Sequence, residues 1–212
     1  MDWIQVILLG LAAYVLGSIP TAVWVGKWFF NKDIRQEGSG NAGFSNALRV
    51  FGPKAGIPVL IVDVGKGFVA VYLSKYLNLD PDIFTGQLIP VVYGLLAFFG
   101  HLLPIFASFK GGKGVATGLG IILALFPMGA VYVLGAYLIV IFVFRMMSLG
   151  SMVASICLPI SLFIVQGTEN LVLLIFTIFI AMMIVFTHRS NISRILNGTE
   201  NKIWFIKKKE EN

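Results

Sequence analysis

The segment from Leu171 to Thr187 reads LVLLIFTIFIAMMIVFT, and it decides the class of fold because it contains no charged side chain. A helix that crosses the roughly 30 Å hydrocarbon core of a bilayer needs about 20 mostly apolar residues, and this run approaches that length. The whole chain agrees: 58% of its 212 residues are hydrophobic and 12% are charged, whereas soluble domains have about 45–50% and about 25%. The composition therefore excludes a soluble globular domain and predicts an all-α, polytopic integral membrane protein.

Further apolar segments precede that run, and the hydropathy pattern predicts seven transmembrane helices in a single membrane-embedded domain, residues 1–212. The N-terminal segment has no Lys or Arg before Lys27, so we interpret it as a retained helix and not as a signal peptide. The fourth segment is short and ends at Pro127, which leaves a tilted, a partial or a fused helix open. The predicted spans are residues 4–26, 55–76, 87–108, 114–127, 129–147, 149–166 and 170–187.

The basic residues predict how these spans are oriented. The chain has 16 Lys and Arg against 10 Asp and Glu, a formal net charge of +6. With seven spans and the N-terminus outside, every basic residue except Lys75 falls on the cytoplasmic side, as the positive-inside rule requires. Removing the short fourth span would export the C-terminal tail and break this asymmetry. The charge therefore favours seven spans and a cytoplasmic C-terminus, and it gives no reason to expect nucleic-acid binding.

Residue types that would support other chemistries are missing from the sequence. Cys157 is the single cysteine, so neither a disulfide framework nor a cysteine metal cluster can form. The sequence has no Asp-x-x-x-Asp or His-Glu-x-x-His pattern, no Gly-x-Ser-x-Gly elbow, and no Asp five residues after either histidine. We therefore expect no metal and no cofactor.

The first polar cluster lies in the predicted cytoplasmic loop of residues 27–54. Its segment Gly38 to Gly43, GSGNAG, fits the dinucleotide pattern G-x-G-x-x-G, but no strand precedes it, so a Rossmann fold is excluded. Glycines can still turn backbone N–H groups toward an anion, and a short helix starting there would attract phosphate. A plain connecting loop is the alternative. The candidate anion-binding residues of this loop are Gly38, Ser39, Gly40, Asn41, Gly43, Ser45, Asn46 and Arg49.

The second cluster lies in the predicted cytoplasmic loop of residues 109–114. Its turn Lys110-Gly111-Gly112-Lys113 is not a Walker A loop, because Gly114 stands where Ser or Thr is needed. Two lysines on a glycine turn before a helix nevertheless combine cations, N–H groups and the helix dipole. A basic loop that merely flanks the membrane would have the same composition. This turn is a second candidate phosphate site.

The third cluster opens the predicted cytoplasmic tail of residues 188–212. His188, Asn191 and Arg194 are spaced so that they share one helix face, and Glu200 follows them. Anchoring on anionic lipid is the alternative for a basic segment beside a membrane, and we interpret the run Lys207 to Lys209 in that way.

Two further polar features lie inside predicted spans. Asp63 and Lys66 are three residues apart and can form an ion pair, which is equally compatible with a functional site and with structural bracing. His101 could be a ligand, but a histidine in helix packing is the preferred interpretation.

Together these segments resemble the bacterial acyl-phosphate:glycerol-3-phosphate acyltransferases, the PlsY family of integral membrane enzymes. The resemblance implies seven helices, an outside N-terminus and an active site that faces the cytoplasm. It also implies transfer of a fatty acyl group from acyl phosphate to the 1-hydroxyl of glycerol 3-phosphate. The products would be lysophosphatidic acid and phosphate, in the first step of phospholipid synthesis, without acyl-CoA, acyl carrier protein or metal. The matching segments are Gly17 to Thr21, Gly38 to Gly52, Asp63 to Gly67, Gly100-His101, Phe109 to Thr117 and His188 to Glu200.

The resemblance also implies roles for individual residues. Ser39, Arg49, His188 and Asn191 would be catalytic. Where the family commonly has Gly-Ala-Thr-Asn, this chain has Gly-Phe-Ser-Asn at 43–46, which keeps a hydroxyl and leaves the acyl chain preference open. The substrate-binding positions would be Gly38, Gly40, Asn41, Gly43, Ser45, Asn46, Lys110, Gly111, Gly112, Lys113, Arg194 and Glu200.

Acyl phosphate is already activated, so the proposed reaction needs no protein nucleophile, and positioning and oxyanion donors remain for the protein to supply. Either His188 or a phosphate oxygen of the donor could take the proton. The expected partners are acyl phosphate, glycerol 3-phosphate, membrane lipids and an upstream enzyme that forms acyl phosphate, all at the cytoplasmic membrane. The alternative function is a small membrane transporter or lipid scramblase without turnover, in which Asp63 and Lys66 would line a path.

Overall fold

The structure, a computed structural model, describes residues 2–77, 79, 86–167 and 169–203 of the chain. These residues form α-helices joined by short turns and contain no strand, so the predicted all-α class is confirmed. The predicted lipid-anchoring run Lys207 to Lys209 lies outside the described residues. The helices are α1 (Trp3–Gly17), α2 (Thr21–Phe30), α3 (Phe44–Phe51), α4 (Pro53–Tyr72), α5 (Leu88–Leu102), α6 (Val115–Leu125), α7 (Pro127–Phe144), α8 (Met147–Gln166), α9 (Leu171–Thr187) and α10 (Arg189–Leu196).

Four helical segments are long and apolar enough to cross a membrane by themselves: Pro53–Tyr76, Leu88–Ala107, Pro127–Phe144 and Met147–Gln166. Two bent pairs raise the number of candidate spans to six when each pair is taken as one crossing. The helices of these pairs are α1 with α2, at 45°, and α9 with α10, at 57°. Helix α6 is apolar but shorter. The described helices thus supply four to six candidate spans by length, together with this shorter apolar helix.

The predicted first span, residues 4–26, is not one continuous helix. Helix α1 ends at Gly17 and α2 begins at Thr21, with Pro20 between them. Proline has no N–H to donate, and the residue before a proline avoids the helical conformation, so the helix breaks there. Because of this break, α2 leaves the axis of α1 and runs on to Phe30, beyond the predicted end.

The short fourth segment is a helix in its own right. Helix α6 has 11 residues, and at 1.5 Å per residue it is about 16 Å long. It is not fused with α7, because Phe126 leaves the helical conformation (φ −148°, ψ 75°) and Pro127 starts a new helix. Proline suits a first helical position, where its missing N–H would have no partner in the helix. The predicted loop of residues 27–54 likewise contains a short helix, α3.

Helices α4 and α6 cross at close range through glycine. A Cβ atom placed on Gly67 would overlap the carbonyl of Thr117, and one placed on Gly120 would overlap the carbonyl of Val64. Small residues at such crossings let two backbones touch, which is the usual basis of helix packing in membranes. This contact places the N-terminal end of α6, and the loop before it, directly beside α4.

The apolar side chains divide into a buried core and an outward surface. The core joins α5, α6, α8 and α9 through Phe98, Ile121, Leu158, Phe176 and Ile180, which are almost fully buried. In contrast, Leu138, Ile139 and Phe142 of α7 are exposed. Exposed apolar surface of this extent is unfavourable in water and is expected of a helix that contacts lipid.

We expect Gly120→Ala to lower the free energy of unfolding by about 1–3 kcal/mol, because the added methyl group forces α4 and α6 apart. The matched control is Gly135→Ala in α7, where a Cβ meets no atom within 4 Å. That variant should be as stable as the parent or more stable by up to about 1 kcal/mol, because alanine favours the helix over glycine and the added methyl group meets no neighbour. Thermal unfolding of the detergent-purified proteins measures both changes, and equal midpoints in the two variants would contradict the close crossing.

Candidate active site

A cavity of about 200 Å³ is lined by residues of α3, α4 and α6, by His101 near the end of α5, and by residues of α7 to α10. One end of the cavity is polar, and the other is lined by apolar side chains of the spans. The apolar lining includes Leu60, Leu119, Ile122, Val133, Leu134, Leu158, Ile180 and Ile184.

The polar end of the cavity brings together residues from all three polar clusters of the sequence. Those that line the cavity are Ser39, Asn41, Gly43, Ser45, Asn46, Arg49, Lys113, His188, Asn191, Arg194 and Glu200. The lining does not include Gly38, Gly40, Lys110, Gly111 or Gly112. Of the two lysines in the glycine turn, Lys113 therefore reaches the cavity, and Lys110 is exposed elsewhere.

The side chain of Asn46 holds its own loop together. Its Oδ1 accepts a hydrogen bond from the backbone N of Ser39 (2.9 Å), and its Nδ2 donates to the carbonyls of Ile34 (3.1 Å) and Glu37 (2.9 Å). The residue is fully buried. Asn46 thus braces the wall of the cavity that it lines, and its role in substrate binding stays a prediction.

The predicted glycines of the first loop also shape the chain. Gly38 and Gly40 have φ values of 58° and 72°, in the left-handed region that favours glycine. A Cβ on Gly38 would overlap the side-chain oxygen of Asn46. These two glycines bend the loop so that Ser39 and Asn41 face the cavity.

Lys113 lies immediately before the N-terminal end of α6 and is held in place from two sides. Its Nζ donates to Oδ1 of Asn191, and its carbonyl accepts a hydrogen bond from Oγ1 of Thr187 (3.2 Å). Burial lowers the pKa of Lys113 to about 8, and the positive charges of Arg194 and Arg49 add to this effect, while Glu200 opposes it. Three cations therefore share one end of the cavity, which favours anions.

Glu200 is the carboxylate that faces these cations. Burial alone would raise the pKa of Glu200, but hydrogen bonds from Ser148, Asn191 and Arg194 outweigh it and lower the pKa. Oε1 accepts from Oγ of Ser148 (2.7 Å) and Nδ2 of Asn191 (2.8 Å), and Oε2 accepts from Nε of Arg194 (2.8 Å). These bonds of both oxygens hold the tail against α8 and α10, and the role of Glu200 in substrate binding stays a prediction.

His188 follows the last residue of α9 and is buried. Its Nδ1 lies 2.7 Å from the carbonyl of Ile184, and since a carbonyl only accepts, Nδ1 carries the proton. Burial lowers the pKa of His188 to about 4, and the nearby charge of Lys113 contributes. The ring is therefore neutral at pH 7, and Nε2 has a free lone pair.

Phe44, the departure from the family pattern at 43–46, lines the cavity as well. Several other lining residues were not singled out from the sequence, among them Tyr137, Met147, Ser148, Ser151, Ser155 and Asn201. The three serines recur at i, i+3 and i+7, which is the spacing of one helix face and was a readable signal. Ser151 and Ser155 donate to carbonyls of their own helix, at Met147 (2.9 Å) and Met152 (2.8 Å).

Metal ligands do not gather in the part of the chain that the structure describes. Among those residues, no group of three or more His, Cys, Asp or Glu side chains could hold an ion.

Comparison with known proteins gives consistent results. Residues 7–198 match the protein family described as glycerol-3-phosphate acyltransferase. The chain is 42% identical to a glycerol-3-phosphate acyltransferase of Enterococcus faecalis, covering 98% of this chain and 99% of that protein. It is 45% identical to one of Listeria welshimeri, covering 94% and 98%.

Two solved structures have the same fold. Both are of PlsY (YgiH), described as an integral membrane glycerol 3-phosphate acyltransferase. The glycerol 3-phosphate form has a TM-score of 0.84 at 35% identity and covers 94% of this chain and 96% of its own. The lysophosphatidic acid form has a TM-score of 0.81 at 33% identity, with 94% and 95% covered.

The charge of Lys113 should make anion binding depend on pH. Sulfate keeps a constant charge above neutral pH, so its dissociation constant reports the protein alone. We expect sulfate binding to weaken as the pH rises from about 7 to 9, because the cation is present below a pKa of about 8 and is lost above it.

Titration calorimetry on the detergent-purified protein measures this dependence. Lys113→Met should bind sulfate more weakly and without the pH dependence, and Arg49→Ala should bind more weakly at every pH. The control Lys54→Ala removes an exposed charge outside the cavity lining and should match the parent. A pH dependence that persists in Lys113→Met would refute the assignment.

Proposed function

The chain belongs to the glycerol-3-phosphate acyltransferase family, and on that premise we propose that it transfers a fatty acyl group from acyl phosphate to the 1-hydroxyl of glycerol 3-phosphate. The products are lysophosphatidic acid and phosphate, in the first step of phospholipid synthesis. One observation carries this proposal: Arg49, Lys113 and Arg194 gather at the polar end of a cavity whose other end is apolar. A pocket of this kind suits two phosphate groups and a fatty tail.

The cations solve the first physical problem of the reaction. Two phosphate-bearing substrates repel each other, and the repulsion is larger beside a low-dielectric membrane than in bulk water. Lys113, with the N-terminal end of α6 and Ser39, is assigned to the phosphate of the acyl donor. Arg49 and Arg194 are assigned to glycerol 3-phosphate, and Arg is suited to bidentate contacts with phosphate.

The chemical step needs no covalent intermediate on the protein. The 1-hydroxyl oxygen attacks the acyl carbonyl carbon, the bond from that carbon to the phosphate oxygen breaks, and phosphate leaves. Nε2 of His188 orients the attacking hydroxyl, and Asn191, whose amide is bonded to Lys113 and Glu200, holds these two side chains in place. Because the pKa of His188 is only about 4, the imidazole holds a proton poorly at neutral pH. The proton of the hydroxyl therefore passes to an oxygen of the departing phosphate.

The apolar end of the cavity accepts the fatty tail. Its lining from α6, α8 and α9, including Ile122, Leu158 and Ile180, can exclude water from the acyl chain. Phe44 also lines the cavity and contributes to the wall near the acyl carbonyl. Each methylene that moves from water into such a lining contributes roughly 0.8 kcal/mol, which favours long acyl chains.

The proposed orientation places this polar end at the cytoplasmic face of the cell membrane. The chain would cross seven times, with α1–α2 forming one bent span, α6 a short one and α9 the last, and with α10 in the cytoplasmic tail. The N-terminus would be outside and the tail inside, as the positive-inside asymmetry indicates. Helices from the first and the second half of the chain line the same cavity, which supports a single domain. The acyl donor would come from an upstream enzyme that forms acyl phosphate.

Purified protein in detergent should form lysophosphatidic acid from palmitoyl phosphate and glycerol 3-phosphate in the presence of EDTA. Palmitoyl-CoA in a parallel reaction should give no product, because its acyl carbon is bonded to sulfur and the phosphates of CoA lie at the far end of the pantetheine arm, away from the reacting carbonyl. Mass spectrometry of the lipid product measures both reactions. Product from the CoA donor alone, or from neither donor, would eliminate the proposed donor; the transporter or scramblase alternative predicts no product from either.

Substitution of His188 separates hydrogen bonding from proton transfer. We expect His188→Ala to lower kcat by about 100-fold, whereas His188→Gln, whose amide oxygen can still accept the hydroxyl hydrogen bond, should lose about tenfold or less. Initial rates at saturating substrates measure the difference, with equal thermal midpoints as the control for folding. A Gln variant as inactive as the Ala variant would show that His188 takes the proton.

A further inference from the structure

A set of buried polar side chains lies behind the glycine turn, outside the catalytic cluster. Asp63 and Lys66 of α4 are 1% and 5% exposed and form an ion pair of 2.9 Å. Oδ1 of Asp63 also accepts a hydrogen bond from Oγ1 of Thr21 (3.0 Å), and Nζ of Lys66 donates to the carbonyl of Ile19 (2.9 Å). Thr21 and Ile19 flank the break between α1 and α2, so this pair ties the break to α4.

His101 extends the set to the glycine turn. Its Nδ1 lies 3.9 Å from Oδ1 of Asp63. On its other side, a Cβ placed on Gly112 would overlap Nε2 of the ring. The backbone N of Gly112 donates to the carbonyl of His101 (3.2 Å), and that of Gly111 donates to the carbonyl of Leu102 (3.2 Å). The imidazole is thus held between the ion pair and the backbone that leads directly into Lys113.

Asp63 and His101 also separate two spaces in the protein. Both line the main cavity, and both line a second, much smaller cavity of about 10 Å³ beside Pro20, Lys66, Gly111 and Gly112. The wall between the two spaces is therefore polar, and Lys66 neutralises the carboxylate that would otherwise repel an anion in the main cavity.

A stabilising role alone does not account for this arrangement. Removing two charges from water costs several kcal/mol per ion, and an apolar pair of similar volume is often at least as stable. Hydrogen bonds and the ion pair do, however, impose fixed distances and directions that apolar contacts do not. We therefore expect Asp63, Lys66 and His101 to fix the position of the backbone that they contact, which is the turn before Lys113.

We propose that Asp63, Lys66 and His101 are positioning residues, which act through the Gly111-Gly112 turn to hold Lys113 where it meets the substrate phosphate. This inference rests on the proposed function only for its kinetic readout. In the absence of turnover, sulfate binding reports the same position of Lys113.

A double-mutant cycle tests the proposal. His101→Gln should lower kcat/KM and sulfate affinity by about tenfold in the parent, and by less than about twofold in a Lys113→Met background, because residues that act as a unit are not additive. The combined change Asp63→Asn with Lys66→Met removes both charges without leaving one unpaired, and it should give the same pattern if His101→Gln does not fold.

The matched control is Tyr93→Phe on the same helix as His101. This change removes a hydrogen bond of 2.7 Å from the Tyr93 hydroxyl to the carbonyl of Val6. Neither residue is near the Gly111-Gly112 turn in the sequence. A purely structural effect of this kind should lower the thermal midpoint and should have the same fold-effect in both backgrounds.

The possible outcomes separate the two proposals. Equal fold-effects of the His101 and Asp63/Lys66 changes in the parent and in Lys113→Met would overturn the positioning role. Absence of product from the parent, with the sulfate cycle still non-additive, would remove the proposed function and keep the positioning role. An unchanged sulfate affinity in His101→Gln and in the combined Asp63→Asn, Lys66→Met variant would also overturn the positioning role.

Discussion

Like charges held together beside an apolar layer are the constraint on which the arrangement of this protein depends. Arg49, Lys113 and Arg194 share one end of a cavity. Each of these cations attracts an anion, and each also repels the other two. Glu200 relieves part of this repulsion, and it does so with both oxygens already bonded to Ser148, Asn191 and Arg194. This end of the cavity therefore has more positive than negative side chains, which favours the binding of an anion.

The three cations lie on three separate elements, each held by a local departure from regular helix. Arg49 is on α3, and the amide of Asn46 holds the loop before that helix, while the carbonyls at the end of α5 hold the turn that carries Lys113. Arg194 is on α10, which leaves α9 at a sharp bend. In a membrane such departures are tolerated only where other protein groups satisfy the backbone, and here those groups also define the polar end of the cavity.

The sequence predicts those features of the protein that depend on local interactions along the chain. The class of fold, the positions of the apolar helices and the three polar clusters follow from composition and periodicity, which are local. The break at Pro20 was also a local signal, and the prediction of one continuous span from 4 to 26 overlooked it. The serine face of α8 was readable by the same logic. The prediction that these clusters bind an anion also follows from residue types alone.

The occupied side chains, by contrast, follow only from contacts between distant residues. Nothing local shows that the amide of Asn46 is bonded to its own loop and that of Asn191 to Lys113 and Glu200, or that Lys113 and not Lys110 lines the cavity. Likewise, the partners of Asp63 include Thr21, 42 residues earlier in the chain. The sequence by itself determined that an apolar helical protein carries three polar clusters whose residue types suit anion binding. The tertiary structure decided which of those side chains remain available to a ligand, because a hydrogen-bonding group already satisfied by the protein gains little from a second partner.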